Sequence, residues 1–347
     1  MIQIPLLRRG LRPAAALYSA VINLRARLYE KGLLKTVKVN PRVISIGNLT
    51  LGGAGKTPFA MRVAELLRAQ NLSVAILCRG YKRRSGGRGA ICLVSDGKKV
   101  FAEASQSGDE AQLMAQRLRD VSVVVGSPKW RAAQWIESHL QVDWIVLDDG
   151  FQHLKLARAR NILLLDGERP FDNGEVIPLG RLRESPHAVQ RADIVVLVRS
   201  ENSPPEPSIP GQLKVLCPSA ELFSAHRKCI GVSMTEGGSA RPVEEIRGKR
   251  LLAFCGIARP DQFLGDLRGQ QLTVAQSLGF PDHHRYRPSD TRNIMFRALQ
   301  CGADALITTA KDAINLPPRA FGNWPCFVFE IEMKVNDEAR FLQSLLT

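Results

Sequence analysis

Residues Gly47–Pro58 read GNLTLGGAGKTP. They follow an apolar run, VISIGNL (43–49), and lead into a helix-patterned segment, PFAMRVAELLRAQ (58–70). A strand, a small-residue loop and a helix in that order predict a phosphate-binding P-loop. Small residues let backbone N–H groups wrap phosphate oxygens, and the helix N-terminus aims its dipole at them. Lys56 is expected to meet the β- and γ-phosphates, and Thr57 to offer its hydroxyl to Mg2+. Thr50 stands where G-x-x-x-x-G-K-[ST] has its first glycine, and Gly52 and Gly53 restore flexibility within the loop. The expected ATP contacts therefore run over Thr50, Leu51, Gly52, Gly53, Ala54, Gly55, Lys56 and Thr57. A glycine-rich turn that binds nothing is the competing reading, and the strand–loop–helix setting counts against it.

A P-loop ATPase also needs a carboxylate at a neighbouring strand end to hold Mg2+. DWIVLDDG (143–150) supplies Asp148 and Asp149 after an apolar run. Adjacent carboxylates repel unless a cation lies near, which favours a metal over a plain turn cap. Further apolar runs lie at VAILCRG (74–80), VSVVVGS (121–127), NILLLDG (161–167), ADIVVLVRS (192–200), RLLAFCGI (250–257) and ADALITT (303–309). Alternating with helical patterns such as DEAQLMAQRL (109–118), they predict an α/β fold: a P-loop NTPase-type parallel sheet covered by helices, plus a smaller second α/β domain. The proline-rich SENSPPEPSIPGQ (200–212) is too rich in proline for a helix or central strand. The expected division is an N-terminal helix over 1–35, a P-loop domain over 36–210, a connector over 211–248 and a smaller domain over 249–347 that closes a cleft.

The chain has 347 residues, with 48 Lys plus Arg against 33 Asp plus Glu, a net charge of +15. That excess favours an anionic partner. Nucleic acid is set aside, because only four Trp and four Tyr are present and no nucleic-acid motif occurs. Seven scattered cysteines form no C-x-x-C pair, which implies reduced thiols rather than a zinc site or disulfide framework. Residues 1–38 hold Arg8, Arg9, Arg12, Arg25, Arg27, Lys31, Lys35 and Lys38 against Glu30 alone. The apolar run between them, Pro13 to Leu24, is shorter than the ~20 residues a bilayer span takes. As a helix it places Leu17, Val21, Leu24 and Leu28 on one face. Such a helix suits a membrane interface or the protein's own core, and the pattern leaves both open.

The motifs, taken in order, resemble the tetraacyldisaccharide 4′-kinases. These are GNLTLGGAGKTP (47–58), RGY (79–81), SGDEA (107–111), LDDGFQH (147–153), RPFDNGEVIPLGRLRES (169–185), FPDHH (280–284) and TTAKDA (308–313). The threonine at position 50 looks like that family's own variant. The resemblance implies ATP- and Mg2+-dependent phosphorylation of the 4′-hydroxyl of a tetraacylated glucosamine disaccharide 1-phosphate. It also implies a peripheral enzyme, expected as a monomer, on the cytoplasmic face of the bacterial inner membrane, touching it through the N-terminus. Asp109 would then accept the hydroxyl proton, although as plain sequence it is a helix cap. His283 would pair with it, with His284 the adjacent alternative. Arg183 would offset charge on the transferred group, and Glu184 would join Thr57, Asp148 and Asp149 near the metal. Asn48, Gln152 and His153 would position substrate or nucleotide. YKRRSGGRG (81–89) could hold the substrate's 1-phosphate or the ATP tail, or be a solvated loop. The roles of Lys311 and Asp312 stay open between capping a helix and lining the cleft. The competing class is a P-loop ATPase or GTPase switch without a lipid acceptor.

Overall fold

The computed structural model describes residues 5–53, 55–80, 90–201 and 206–347. In chain order the first elements are α1 (Pro5–Glu30), β1 (Arg42–Asn48), α2 (Lys56–Arg68), β2 (Val74–Cys78), β3 (Cys92–Ser95) and α3 (Ala104–Ser107). Next come α4 (Asp109–Arg117), β4 (Val121–Val125), α5 (Lys129–His139), β5 (Trp144–Leu147), β6 (Arg160–Asp166) and β7 (Ile194–Ser200). The rest are α6 (Ser208–Leu216), β8 (Glu221–Met234), β9 (Arg250–Cys255), α7 (Pro260–Gly269), β10 (Thr273–Gly279), α8 (Pro288–Gln300), β11 (Ala305–Thr309), α9 (Ala310–Ile314), β12 (Cys326–Val335) and α10 (Glu338–Leu346). β2 and β5 are buried throughout and β1 and β4 at all but one position each, and these largely apolar runs serve both faces because helices cover both sides of the sheet.

All twelve strands form one sheet, ordered β10-β9-β11-β12-β8-β7-β6-β1-β5-β2-β4-β3. Two pairings are antiparallel, β3 with β4 at the edge and β8 with β12 inside the sheet. The second splits the sheet into two parallel halves that run in opposite directions. Strand β8, 14 residues long, makes the junction. Its start pairs with β7, ending at Ser200↔Arg227, and its later part pairs with β12 up to Phe327↔Met234. The last residue of β11, Thr309, sits level with Phe329, which pairs with Val232. At about 3.3 Å per residue, the strand ends of the second half lie roughly 16 Å beyond those of the first. Because the halves run oppositely, both C-terminal edges point into that gap. In open α/β sheets this is the edge where ligands sit.

Two segments depart from the sequence reading. Helix α6 starts inside the proline-rich stretch, with Pro207 as its cap and Pro210 in its first turn. First-turn N–H groups have no helical partner, so proline is tolerated there. The stretch expected as a connector, 211–248, contributes β8 to the middle of the sheet. Nor does residue 210 bound the first core. Phe223, Ala225, Met333, Val335, Phe341 and Leu345 pack in one cluster with Ile44, Phe59 and Val146. Phe341 meets Phe59 at 5.8 Å and Phe223 at 5.2 Å between ring centroids, both edge-on.

Helix α1 docks with Ala15 and Ala26 buried, while Leu17, Val21 and Leu24 are 68%, 56% and 59% exposed. Ala15 joins a cluster with Leu49, Phe151 and Leu182, on the sheet face opposite α2. The helix therefore packs on the core by one face and presents an apolar stripe on the other.

Phe341→Ala should cost about 3–5 kcal/mol, because its neighbours Phe59 of α2 and Phe223 of β8 belong to elements fixed in the core that cannot collapse onto the gap. Urea unfolding at equilibrium measures it. A loss below about 1 kcal/mol would contradict the placement of α10 in the first half's core.

Candidate active site

Strand β1 ends at Asn48, which is fully buried. Its amide nitrogen donates to the Thr50 carbonyl at 2.8 Å and to the Thr50 hydroxyl at 3.2 Å. Its Oδ1 accepts from Lys56 Nζ at 3.0 Å, so Asn48 ties the base of the loop to the lysine. The Leu51 amide donates to Arg181 O at 2.7 Å and the Arg183 amide to Leu49 O at 2.6 Å, fastening the loop's first arm to the GRLR segment. Gly55 caps α2 at φ 73°, a conformation that favours glycine, and lends no side chain to the first-turn N–H groups. Ala54 and the basic loop 81–89 lie outside the described residues.

Beside this loop, the chain leaves β5 with Asp148 buried and Asp149 in a left-handed turn at φ 48°. Burial alone would raise the Asp149 carboxyl. The charges of Lys56, 3.5 Å away, Arg183 and Lys129 outweigh that effect and hold it well below the usual carboxylate range. Arg183 Nη1 donates to both Asp149 oxygens, at 2.9 and 3.0 Å. Asp148 has no such partners: its Oδ1 is buried without a hydrogen bond. Burial, reinforced by the Glu110 carboxylate, pushes its carboxyl up to about 7 against the pull of Lys129. Lys129, itself only 2% exposed, donates to the Asp148 carbonyl and, at 3.0 Å, to the Asp149 carbonyl. Gln152 bridges Asn48 O (3.1 Å) and Glu184 Oε1 (2.9 Å). Buried Glu184 also faces Arg191 at 2.7 Å. His153 is driven down to about 3, first by burial and then by the Lys129 charge, and stays neutral.

The second wall comes from α4 and the second half of the sheet. Asp109 opens α4, and His283 Nδ1 lies 2.8 Å from its Oδ2 and 3.0 Å from its Oδ1. Asn315 donates to Oδ2 at 3.2 Å and the Glu110 amide to Oδ1 at 2.9 Å. Burial works to raise the Asp109 carboxyl, but the His283 hydrogen bond, the Lys311 charge and Asn315 prevail and hold it below its ordinary value. Lys56, Asp149 and Arg183 on the first wall and Glu110, His283 and Lys311 on the second line one cleft of about 960 Å3, together with Tyr18 and Arg25 of α1, and buried Asp109 lies behind His283. Tyr18 donates to the Arg183 carbonyl at 2.9 Å, and Arg25 to the Gln152 carbonyl at 3.3 Å.

The model of the tetraacyldisaccharide-1-P 4′-kinase family matches residues 7–347. This chain belongs to that family. Similar members of the 4′-kinase family include the tetraacyldisaccharide 4′-kinase of Geobacter metallireducens, 40% identical over 87% of this chain and 86% of the relative. That of Pelobacter propionicus is 41% identical over 88% of this chain and 82% of its own. LpxK from Aquifex aeolicus, solved as a crystal structure in complex with ATP, superposes with a TM-score of 0.78 at 32% identity, over 98% of each chain.

Within the 4′-kinase chain, most of the described residues singled out in the sequence line one cleft, while Asn48, Thr50 and Asp109 stand outside its lining. Asn48 is buried and braces the loop. Arg183 and Glu184 do not pair with each other: one grips Asp149, the other is held by Arg191 and Gln152. His284 turns away from Asp109 to Asp290, 3.0 Å from Nε2. Sequence reasoning missed Lys129, Tyr18 and Asn315, and placed Arg25 only in the basic N-terminal pattern. A lysine opening a helix and an asparagine in a turn carry no sequence signal. Tyr18 lies within the N-terminal pattern already marked. Among the described residues, no cluster of three or more His, Cys, Asp or Glu side chains is placed to hold a metal unaided.

Asp148 yields a test with a definite sign. Its folded value lies above the ordinary one, so the native state binds the extra proton and stability falls as pH rises from about 4 to about 7. Asp148→Asn should raise the melting temperature of the nucleotide- and metal-free protein at pH 8 by roughly 2 °C or more, with little change at pH 4. Thermal melts at both pH values decide it. An equal shift at both would contradict the buried, partnerless carboxyl.

Proposed function

We propose that this chain transfers the γ-phosphate of ATP to the 4′-hydroxyl of a tetraacylated glucosamine disaccharide 1-phosphate. The observation that carries the reading is one cleft with the P-loop on one wall and His283 on the other, with Asp109 held directly behind His283 at 2.8 Å. A hydrolytic switch has no need of such a pair on the wall facing its phosphates. The P-loop amides and Lys56 would bind the β- and γ-phosphates, and Arg183 would meet charge that develops on the transferred group. The 4′-oxygen forms its bond to γ-phosphorus as the β–γ bridging P–O bond breaks, and ADP leaves. The hydroxyl proton passes to the Asp109 carboxylate, which His283 holds in place. β9–β11 and their helices would close over the P-loop half to exclude water.

The donor set fits Mg2+. The buried Asp148 Oδ1 has no partner, and Thr57 lines the same cleft. Asp149, engaged by Arg183 and Lys56, would act at longer range, as would Glu184. When bound, Mg2+ would neutralise charge on the β- and γ-phosphates. Lacking three clustered protein ligands, the site would complete its coordination shell with phosphate oxygens and water.

The exposed stripe Leu17, Val21 and Leu24, flanked by Arg12, Arg27 and Lys31, suits the interface of an anionic bilayer. No helix among the described residues is long and apolar enough to cross a membrane. We read a monomer acting peripherally at the cytoplasmic face of the bacterial inner membrane.

ATP turnover with the purified disaccharide lipid, against water as acceptor, tests the reaction. Lys56→Ala and Thr57→Ala should each lower it more than a hundredfold, on the order of 3 kcal/mol. Near-normal turnover in both would end the assignment. Because α1 hydrogen-bonds to the site, the membrane contact is better tested by substitution than by deletion. Leu17→Ser/Val21→Ser/Leu24→Ser should abolish flotation with anionic liposomes while turnover on detergent-dispersed lipid stays within about threefold. Undiminished flotation would refute the contact.

A further inference from the structure

We propose that Lys311, in the TTAKDA segment, is a positioning residue that holds His283 in its Nδ1–H tautomer and so aims that proton at Asp109. The inference rests on the Asp109–His283 reading above and concerns what orders that pair. Lys311 Nζ lies 3.2 Å from His283 Nε2 and 2.9 Å from Asp282 Oδ1. An ammonium has three donors and no acceptor, so Nε2 must present its lone pair. The ring proton is thereby assigned to Nδ1, 2.8 Å from Asp109 Oδ2. An imidazolium would instead turn an N–H toward the ammonium. Charged groups near this ring include Asp282, whose Oδ2 is 3.7 Å from Nε2, and, on the far side of Lys311, Glu110 at 4.0 Å from the ammonium.

The support behind Lys311 is rigid. Thr309 caps α9 by accepting from the Asp312 amide at 3.2 Å. Asp312 is 1% exposed and accepts from the Gly256 amide (2.7 Å), the Tyr286 hydroxyl (2.9 Å) and the Thr309 hydroxyl (2.6 Å). One short helix is thus clamped to the ends of β9 and β11 beside the PDHH turn. Its residue 311 reaches the imidazole, and Asn315, one turn later, reaches Asp109. His283 is itself held in a left-handed conformation at φ 58°, with its amide on Gly256 O at 3.1 Å. A neutral imidazole steadies the carboxylate through one hydrogen bond without placing a full positive charge against it. Asp109 then keeps more of its capacity to accept the hydroxyl proton.

The test uses the full chain with Lys311→Met, Lys311→Arg, His283→Ala and the His283→Ala/Lys311→Met double variant. Nitrogen-15 NMR of labelled histidine reads the tautomer. Steady-state kinetics across pH, with ATP and the disaccharide lipid, read kcat and KM. Wild type should show Nδ1–H at His283, the methionine variant should lose that preference, and arginine should restore it. In Lys311→Met, kcat at neutral pH should fall roughly tenfold, the acidic limb should move to higher pH, and both KM values should stay within about twofold. Adding the methionine to His283→Ala should cost less than about twofold, since residues acting as one unit do not add. If the methionine variant is unfolded, Lys311→Gln, which keeps an N–H donor without the charge, should still move the acidic limb. An Nε2–H tautomer in wild type, an unmoved limb, or a loss as large in the His283→Ala background would overturn the proposal. Unimpaired kcat in His283→Ala would instead remove the pair from catalysis, and the NMR result would then judge Lys311 alone.

Discussion

The antiparallel pairing of β8 with β12 decides what the rest of the molecule can be. Two parallel sheets joined by a parallel seam would turn their C-terminal edges the same way, and each would face solvent. Reversing direction at one ladder, and staggering it along β8, turns the edges toward each other. The P-loop and the Asp148–Asp149 turn end one set of strands. His283 and Lys311 follow the other. The phosphate-binding loop, the Asp148–Asp149 turn, His283 and Lys311 therefore all come from strand ends, while the longer β6–β7 connection adds Arg183 and Glu184. The short strand-end loops meet across the gap.

The gap is charged in an ordered way. Lys56, Arg183 and Lys129 surround Asp149, while Asp148 is left as a buried carboxyl with an unmade hydrogen bond. A buried polar atom without a partner costs on the order of 1–3 kcal/mol. Such an atom facing a cleft is a place where binding can recover what folding left unsatisfied. Nucleotide and cation together would answer both imbalances, the surplus of donors around the loop and the missing partner at Asp148. Ligand binding should for that reason also stabilise the fold.

Much of this was legible in the chain, for physical reasons that differ by residue. Strands buried on both faces are uninterrupted apolar runs, so β1, β2, β4–β7, β9 and β11 stood out. The P-loop was legible because its chemistry demands glycines and a lysine at fixed spacing. Strand β8 was not, since its burial changes along its length as its neighbours do and leaves no single period. Helix α6 was hidden by prolines that happen to fall where a helix tolerates them. The meeting of Asp109 with His283, 174 residues apart, came from family resemblance, since neither periodicity nor composition encodes a contact at that separation. Lys129 was invisible. A lysine is ordinarily solvated, and only its two backbone acceptors make burial tolerable.

The last core residues carry a consequence for synthesis. The ribosome delivers the chain from its N-terminus, and most of the P-loop half emerges by residue 200. Its core still lacks Met333, Val335, Phe341 and Leu345 at that point, and β7, paired with β6 on one side, has an open edge on the other until β8 arrives. The nascent first half must wait, with apolar surface and a sheet edge uncovered, while roughly a hundred and forty further residues are made. At 5–20 residues per second that interval lasts on the order of ten seconds, long compared with the collapse of a small chain. Vectorial folding of this kinase is thus closed by its final helix, and the interval before that helix appears is when the chain is most exposed to aggregation and to chaperones.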